Sequence, residues 1–366
     1  MKKKVLLGMS GGVDSSVSAI LLKNQGYEVI GLTMKLWEKG QEKNKAIIDA
    51  KKVCEKLGIE HYVVDLQSEF KEKVVDNFVC TYMCGKTPNP CIECNKFIKF
   101  GAFYKLAKEY GCEYIATGHY AKVEFSEKYN QYVLKKSKAE NKDQTYFLYG
   151  INKEILPNIL FPLSDFDDKD EIRKMALEQG LEVAKKKDSQ EICFIQNNNY
   201  VEFLKEEGKG LYKSEKTGNI ILKNREILGK HNGLTNYTVG QRKGIGISYK
   251  EPLYVLRLDN EKNEVVVGTE RELYSKELKA NELNFLLNMD LGTELEIEAK
   301  VRYRSKPAKA TLEIENEIAK VTFKEPQRAI TPGQSVVFYL NNIVLGGGKI
   351  IWTNFRENID LFINKW

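Results

Sequence analysis

No run of about 18 apolar residues occurs anywhere in the 366-residue chain, so a membrane-spanning helix is excluded. Met1-Lys2-Lys3-Lys4 leads into a strand pattern, not into the apolar stretch of a secretion signal. Histidine is scarce, with three residues in all, so one that ends a strand stands out. Cysteine is present in an odd number, seven, which does not suit a secreted disulfide scaffold. The expected location is therefore the cytoplasm, with functional thiols or a metal site. Neither sign of charge dominates. A formal net charge of +6 permits a polyanionic partner without requiring one. No internal repeat or low-complexity segment is visible. What is present is 42% hydrophobic residues, enough to build cores for two or three domains.

The chain is organised around Gly8-Met9-Ser10-Gly11-Gly12-Val13-Asp14-Ser15. The apolar run Val5-Leu6-Leu7 before it reads as a buried parallel strand. Val13, Val17, Ile20 and Leu21 after it form a helical stripe that ends near Gly26. A glycine-rich turn between a strand and a helix N-terminus aims backbone N–H groups and the helix dipole at one spot. Ser10 and Ser15 add hydroxyl donors. Asp14 would repel bare phosphate, so it is expected as a magnesium ligand or a helix-start group. No lysine follows the glycines, which excludes the Gly-x4-Gly-Lys loop. The pattern resembles the pyrophosphatase-type loop of enzymes that split ATP between its α and β phosphates.

Strand and helix patterns alternate through the first third. Strands are expected at Glu28–Met34, Tyr62–Val64 and Tyr114–Ala116, with helices around Ala46–Leu57, Val74–Val79 and Phe97–Ala107. That rhythm predicts an α/β doubly wound parallel sheet, whose strand ends line a ligand crevice. Met34, Gly118 and His119 then fall near a nucleotide. Residues 121–137 read as a hairpin, followed by Lys135, Lys136, Lys138 and Lys142, a basic cluster able to hold RNA phosphates or simply to be solvated. Lys142-Asp143-Gln144 is expected to start a helix capped by Asp143. Asp167 to Gly180 reads as a helix, and Lys185-Lys186-Lys187 as a solvated run or, less favoured, a phosphate contact. Thr238 to Gly246 reads as a basic turn. Beyond Asn281 short strands with Pro332-Gly333 and Gly346-Gly347-Gly348 turns suggest a small barrel. The expected domains are a PP-loop domain over 1–205, a small mixed or β domain over 206–278 and a C-terminal β-barrel over 279–366.

Cys80, Cys84, Cys91 and Cys94 cluster within fifteen positions. Cys94 sits where a helix is expected to begin, next to Lys96, which would lower its pKa. Zinc binding by the cluster, a Cys91–Cys94 redox pair, and sulfur chemistry between Cys94 and the distant Cys193 are the three readings. Cys54 and Cys112 lie on helix faces or ends and read as core.

Three motifs together, Gly-Met-Ser-Gly-Gly-Val-Asp-Ser (8–15), Thr-Pro-Asn-Pro-x-x-x-Cys-Asn-Lys (87–96) and Asp-Ser-Gln-x-Ile-Cys-Phe (188–194), resemble the bacterial tRNA-specific 2-thiouridylase family, MnmA. Thr-Gly-His-Tyr (117–120), Lys-Asp-Gln-Thr-Tyr-Phe-Leu (142–148), Tyr-Thr-Val-Gly-Gln-Arg-Lys-Gly (237–244) and Thr-Pro-Gly-Gln-Ser (331–335) match as well, so the likeness covers nearly the whole chain. It implies adenylation by ATP of the C2 oxygen of the wobble uridine in tRNAs for Lys, Glu and Gln, then replacement of that oxygen by sulfur. By position it implies ATP binding, with Mg2+, at Gly8, Met9, Ser10, Gly11, Gly12, Val13, Asp14, Ser15, Met34 and Gly118. Cys94 would be the nucleophile and Cys193 the sulfur carrier. Asn89, Pro90 and Cys91 would line the target base. His119, Lys142, Asp143, Gln144, Arg302, Tyr303 and Gln334 would touch tRNA. A cysteine desulfurase or relay protein would supply sulfur, and the cycle would end in a Cys94–Cys193 disulfide. The better-known family pattern has Asp at the position of Cys91. With Cys94 and Cys193 it makes three thiols, the set that an iron–sulfur cluster would need. The competing readings are another PP-loop tRNA-modifying or amidating ligase, which needs no Cys94/Cys193 pair, and a zinc-stabilised RNA-binding module with a regulatory nucleotide site.

Overall fold

The computed structural model describes residues 2–37, 42–186, 192–195, 199–208, 216–290, 292 and 294–353. Asp188, Ser189, Gln190 and Glu191 of the third motif, and Lys187, lie outside the described residues.

Five parallel strands form the first sheet: β1 (Lys4–Gly8), β2 (Glu28–Lys35), β3 (Glu60–Asp65), β4 (Tyr114–Ala116) and, after a hairpin, a short strand at Ile159–Leu160. Their order is β3, β2, β1, β4 and then Ile159–Leu160. Alternation decides the faces. Val5 and Leu7 pack under α1 (Val13–Asn24) and α2 (Glu42–Leu57), while Leu6 joins Phe100, Phe103 and Ile115 on the other side. Both faces are covered, which is why β1 reads as a continuous apolar run. The chain leaves β1 for β2 on one side, and β4 flanks it on the other, so a crevice opens at their carboxyl ends, where Gly8 and Gly118 lie.

The hairpin is β5 (Lys122–Ser126) and β6 (Gln131–Lys135). It does not stand alone beside the sheet. Lys135 pairs with Ile343, and the Lys136 N–H donates to the Asn342 carbonyl at 2.8 Å. The hairpin therefore extends the C-terminal barrel.

A four-stranded central sheet follows the α-helix Tyr200–Glu207. With Ile159–Leu160 numbered β7, its strands are β8 (Gly218–Leu222), β9 (Ile227–His231), β10 (Tyr254–Asp259) and β11 (Glu264–Gly268). The barrel comprises β12 (Tyr274–Phe285), β13 (Leu295–Lys300), β14 (Ala308–Glu315), β15 (Ile318–Arg328), β16 (Ser335–Leu340) and β17 (Ile343–Thr353). Pairing of β12 with both β15 and β17 closes it, leaving no open edge among the six. Phe323, Phe338, Val321 and Leu278 fill its interior.

Two local expectations are corrected. No α-helix starts at Lys142; a 3-10 turn spans Thr145–Phe147, and the Asp143 carboxylate turns inward to the Thr145 hydroxyl at 2.7 Å and the Ser137 N–H at 3.4 Å. Lys186 is half-buried and paired rather than freely solvated. Its ammonium donates to the Gly11 carbonyl at 2.9 Å and pairs with Asp49.

Candidate active site

The turn after β1 is built for close approach by an anion. Gly11 has φ +68°, and a β-carbon there would run into the Ala46 carbonyl. Gly12 caps α1 in an extended conformation with no side-chain cap, so the first-turn N–H groups have no side chain competing for them. Ser10 and Ser15 are tied hydroxyl to hydroxyl at 3.2 Å. Gly118 closes the crevice from β4, since a β-carbon on it would lie 2.9 Å from the Ser15 nitrogen. Asp14 accepts from Tyr120 at 3.0 Å and from Lys169 at 2.8 Å. Tyr120 and Lys169 at this loop were not marked by the sequence, and Lys186 was marked only within a lysine run. Lys169 is 155 positions from Asp14, and no local pattern marks it.

The thiols come next to this crevice. Pro90 sits in the first turn of the short helix Pro90–Glu93, which runs straight into a π-helix, Cys94–Ala102. Cys94 is therefore inside a continuous helix, not at its start. It is 8% exposed, among Phe70, Phe78, Ile98, Phe194 and Phe203, with Met34 from the end of β2 against the same cluster. Burial pushes its thiol up to about 12, and Lys99, not Lys96, is the cation that opposes this. The expectation of a depressed pKa is thus reversed. Cys91 is exposed as a residue, and the protein packed around its sulfur pushes that thiol up too.

Cys193 is exposed, but its neighbours are anchored. Phe194 is buried and meets Phe78 at 5.3 Å, Phe203 at 5.1 Å and Phe70 at 5.7 Å between ring centroids. Each such aromatic pair contributes about 0.5–1.5 kcal/mol beyond burial, so the Ile192–Ile195 stretch is pinned to the Cys94 cluster. Charge on Cys193 would raise both Cys91 and Cys94, which places three sulfurs within electrostatic reach of one another. No disulfide is present among the described residues. Nor, among them, do three His, Cys, Asp or Glu side chains gather closely enough to hold a metal ion. As arranged among the described residues, Cys91, Cys94 and Cys193 are therefore not gathered as the ligands of an iron–sulfur cluster would be.

Three family models match in succession: one described as a tRNA methyl transferase HUP domain at residues 3–197, a tRNA methyl transferase PRC-barrel domain at 202–269, and an aminomethyltransferase beta-barrel domain at 275–350. A tRNA-specific 2-thiouridylase MnmA of Clostridioides difficile is 48% identical over 359 residues, 96% of this chain and 98% of that protein. Its namesake in Clostridium botulinum is 49% identical over 95% of this chain and 98% of its own length. That of Caldicellulosiruptor saccharolyticus is 49% identical over 96% and 99%. The chain belongs to the MnmA family of tRNA-specific 2-thiouridylases.

The residues that the MnmA pattern assigns to tRNA fall into two groups here. Some are not tied into the junctions between domains. His119 is half-buried, with Nδ1 2.7 Å from the Thr117 hydroxyl and its ring against Phe100 and Phe161. Burial, helped by Lys99, holds its pKa well below the usual histidine range, so the ring is neutral near pH 7. Asn89 and Lys142 are half-buried and Pro90 is buried. Others are struts between parts of the fold. Asp143 is buried, and burial pushes its carboxyl up. The Gln144 Oε1 accepts from the Tyr120 N–H at 3.0 Å. Arg302 donates to the Val239 and Ala329 carbonyls and to the Thr331 hydroxyl, joining the central loop to the barrel. Tyr303 lies over Phe147 at 4.4 Å. Gln334 reaches back to the loop before Cys91.

Proposed function

We infer that this chain is the MnmA-type enzyme that uses ATP to replace the C2 oxygen of a tRNA wobble uridine by sulfur. The observation that carries the site assignment is the packing of Cys94 and the Ile192–Ile195 stretch in one cluster, against Met34 at the strand end beside the glycine loop.

The chemistry follows from these groups. The uncapped first turn of α1, with Ser10 and Ser15, holds ATP phosphates. A divalent ion such as Mg2+ commonly binds through one carboxylate plus phosphate oxygens, and Asp14 is the carboxylate that fits. Bound there, the ion would screen the phosphates. The uridine C2 oxygen attacks the α-phosphorus, and pyrophosphate leaves. Cys193 carries the incoming sulfur as a persulfide, delivered by a cysteine desulfurase or relay protein. Its terminal sulfur attacks C2, and AMP leaves. The Cys94 thiolate then attacks the Cys193 sulfur, breaking the S–S bond. The sulfur stays on the base, and a Cys94–Cys193 disulfide remains until a reductant returns two electrons. Asn89, Pro90 and Cys91 line the flipped base, because a stacked base cannot reach a recess. Substrates are the tRNAs for Lys, Glu and Gln.

Mass spectrometry of tRNA nucleosides, after incubation of the purified chain with ATP, unmodified tRNA and a persulfide donor, tests this. The 2-thiouridine nucleoside is expected from the parent and not from Cys193→Ser. Full product from Cys193→Ser would overturn the relay.

A further inference from the structure

We infer that Lys99 is the cation on which the chemistry of Cys94 depends, brought beneath that sulfur by the π-helical turn of Cys94–Ala102. This rests on the reading of Cys94 as the nucleophile.

In an α-helix, a residue five positions on lies about 140° around the axis, on the far side. Lys99 would then point away from Cys94. A π-helix bonds i to i+5 and widens the turn, which returns residue 99 to the face of residue 94. That register is fixed here: the Phe103 N–H donates to the Ile98 carbonyl, five residues back. Two contacts lock its rotation. The Asn95 amide donates to the Phe147 carbonyl at 3.1 Å, and the Phe100 ring lies 5.9 Å from His119.

The nearer lysine in sequence is committed elsewhere. The Lys96 ammonium sits over the Phe97 ring at 5.0 Å, and its stem passes beside Gly150. Lys99, by contrast, acts on three groups, two on its own continuous helix and one beyond the end of β4. It draws the Cys91 and Cys94 thiols down against burial, and it disfavours a proton on His119. Cys91 and Cys193 are the other titratable groups facing Cys94, and their negative forms push the opposite way. A single fixed charge therefore favours a thiolate and a neutral imidazole together. The proton lost by Cys94 goes to solvent. Strain or π-turns at functional sites recur for such reasons of side-chain aim.

The test is the pH profile of Cys94 alkylation by iodoacetamide, with tandem mass spectrometry separating Cys94 from Cys91, in the parent, Lys99→Met, Lys99→Gln and Lys99→Arg. The expected result is alkylation slowed about tenfold or more at pH 8 in the Met and Gln variants, equivalent to one pH unit in the profile, with Arg restoring it. In single-turnover thiolation the chemical rate falls in parallel while tRNA affinity holds. Alkylation profiles that superimpose on the parent's in both neutral variants would overturn the proposal. Full thiolation by Cys94→Ser would instead sink the reading beneath it, whatever the alkylation shows.

Discussion

The side-chain amide of Gln334 donates to the Pro88 carbonyl at 2.9 Å, and its second hydrogen goes to the Thr87 carbonyl at the same distance. Thr87 returns the contact, its N–H donating to the Pro332 carbonyl at 3.0 Å. The barrel turn thus holds the loop that launches Pro90, Cys91 and Cys94. Lys349 reinforces the junction, 3.6 Å from Glu93 and 2.8 Å from Glu282. The loop's position depends on the last domain of the chain.

Gln334→Met keeps the shape and removes both hydrogen bonds, each worth about 1 kcal/mol net. Thiolation is expected to slow about tenfold while binding of ATP, measured by titration calorimetry, stays unchanged. An unaltered turnover would show that the loop holds itself.

Lys169 is nearly buried and bound to Asp14. A hydrogen bond to a charged group is worth about 1.5–3 kcal/mol, and Lys169→Met would release Asp14 from its place beside the glycine loop, so ATP should bind roughly tenfold to a hundredfold more weakly. Equilibrium binding of a non-hydrolysable ATP analogue reads this directly. Affinity equal to the parent's would remove Lys169 from the nucleotide site.

Mild oxidation with diamide should join Cys94 to Cys193, detected as a cross-linked peptide by mass spectrometry and lost in Cys193→Ser. The clustering of Cys94 with Phe194 makes this the expected pair. A Cys91–Cys94 product in its place would assign the redox chemistry to the other pair.

His61 and His119 are both held below the ordinary histidine pKa, burial being the first cause for each. The unfolded chain therefore takes up protons near pH 6.5 that the folded chain refuses. Stability is fully present above that pH and falls as pH drops through the window below it, by up to about 1.4 kcal/mol per pH unit for each histidine. Urea unfolding at pH 7.5 and 5.5 should show the loss, and His61→Gln should reduce it. A flat profile in the parent would contradict the burial of both rings.

The parallel sheet was legible because β1 and β2 are apolar on both faces and glycines close the helices. The barrel was legible from β13 to β17, whose turns carry Pro332-Gly333 and Gly346-Gly347-Gly348. Strand β12 was not, because Tyr-Ser-Lys-Glu-Leu-Lys-Ala-Asn-Glu-Leu-Asn-Phe is rich in helix-forming Lys, Glu and Leu, and only its two partners make it a strand. At the site, the glycine loop and the cysteines announced themselves by motif. The thiol pKa of Cys94 did not, since it follows from side chains of Phe70, Phe78 and Phe203 far along the chain. Lys99 was hidden for a different reason: helical periodicity assumes 3.6 residues per turn, and the π-turn breaks it.

The ribbon of β5 and β6 joins a barrel whose strands are encoded more than a hundred positions later, through the Lys135–Ile343 pair. Val133 and Leu134 on that ribbon are buried. An amino-terminal piece ending before β12 would emerge with this surface bare and an open edge seeking a mate. Such a fragment is expected to self-associate, and to be rescued by adding the missing barrel as a separate polypeptide. The nucleotide half and the barrel half are in that sense one folding unit, whatever their order in the gene.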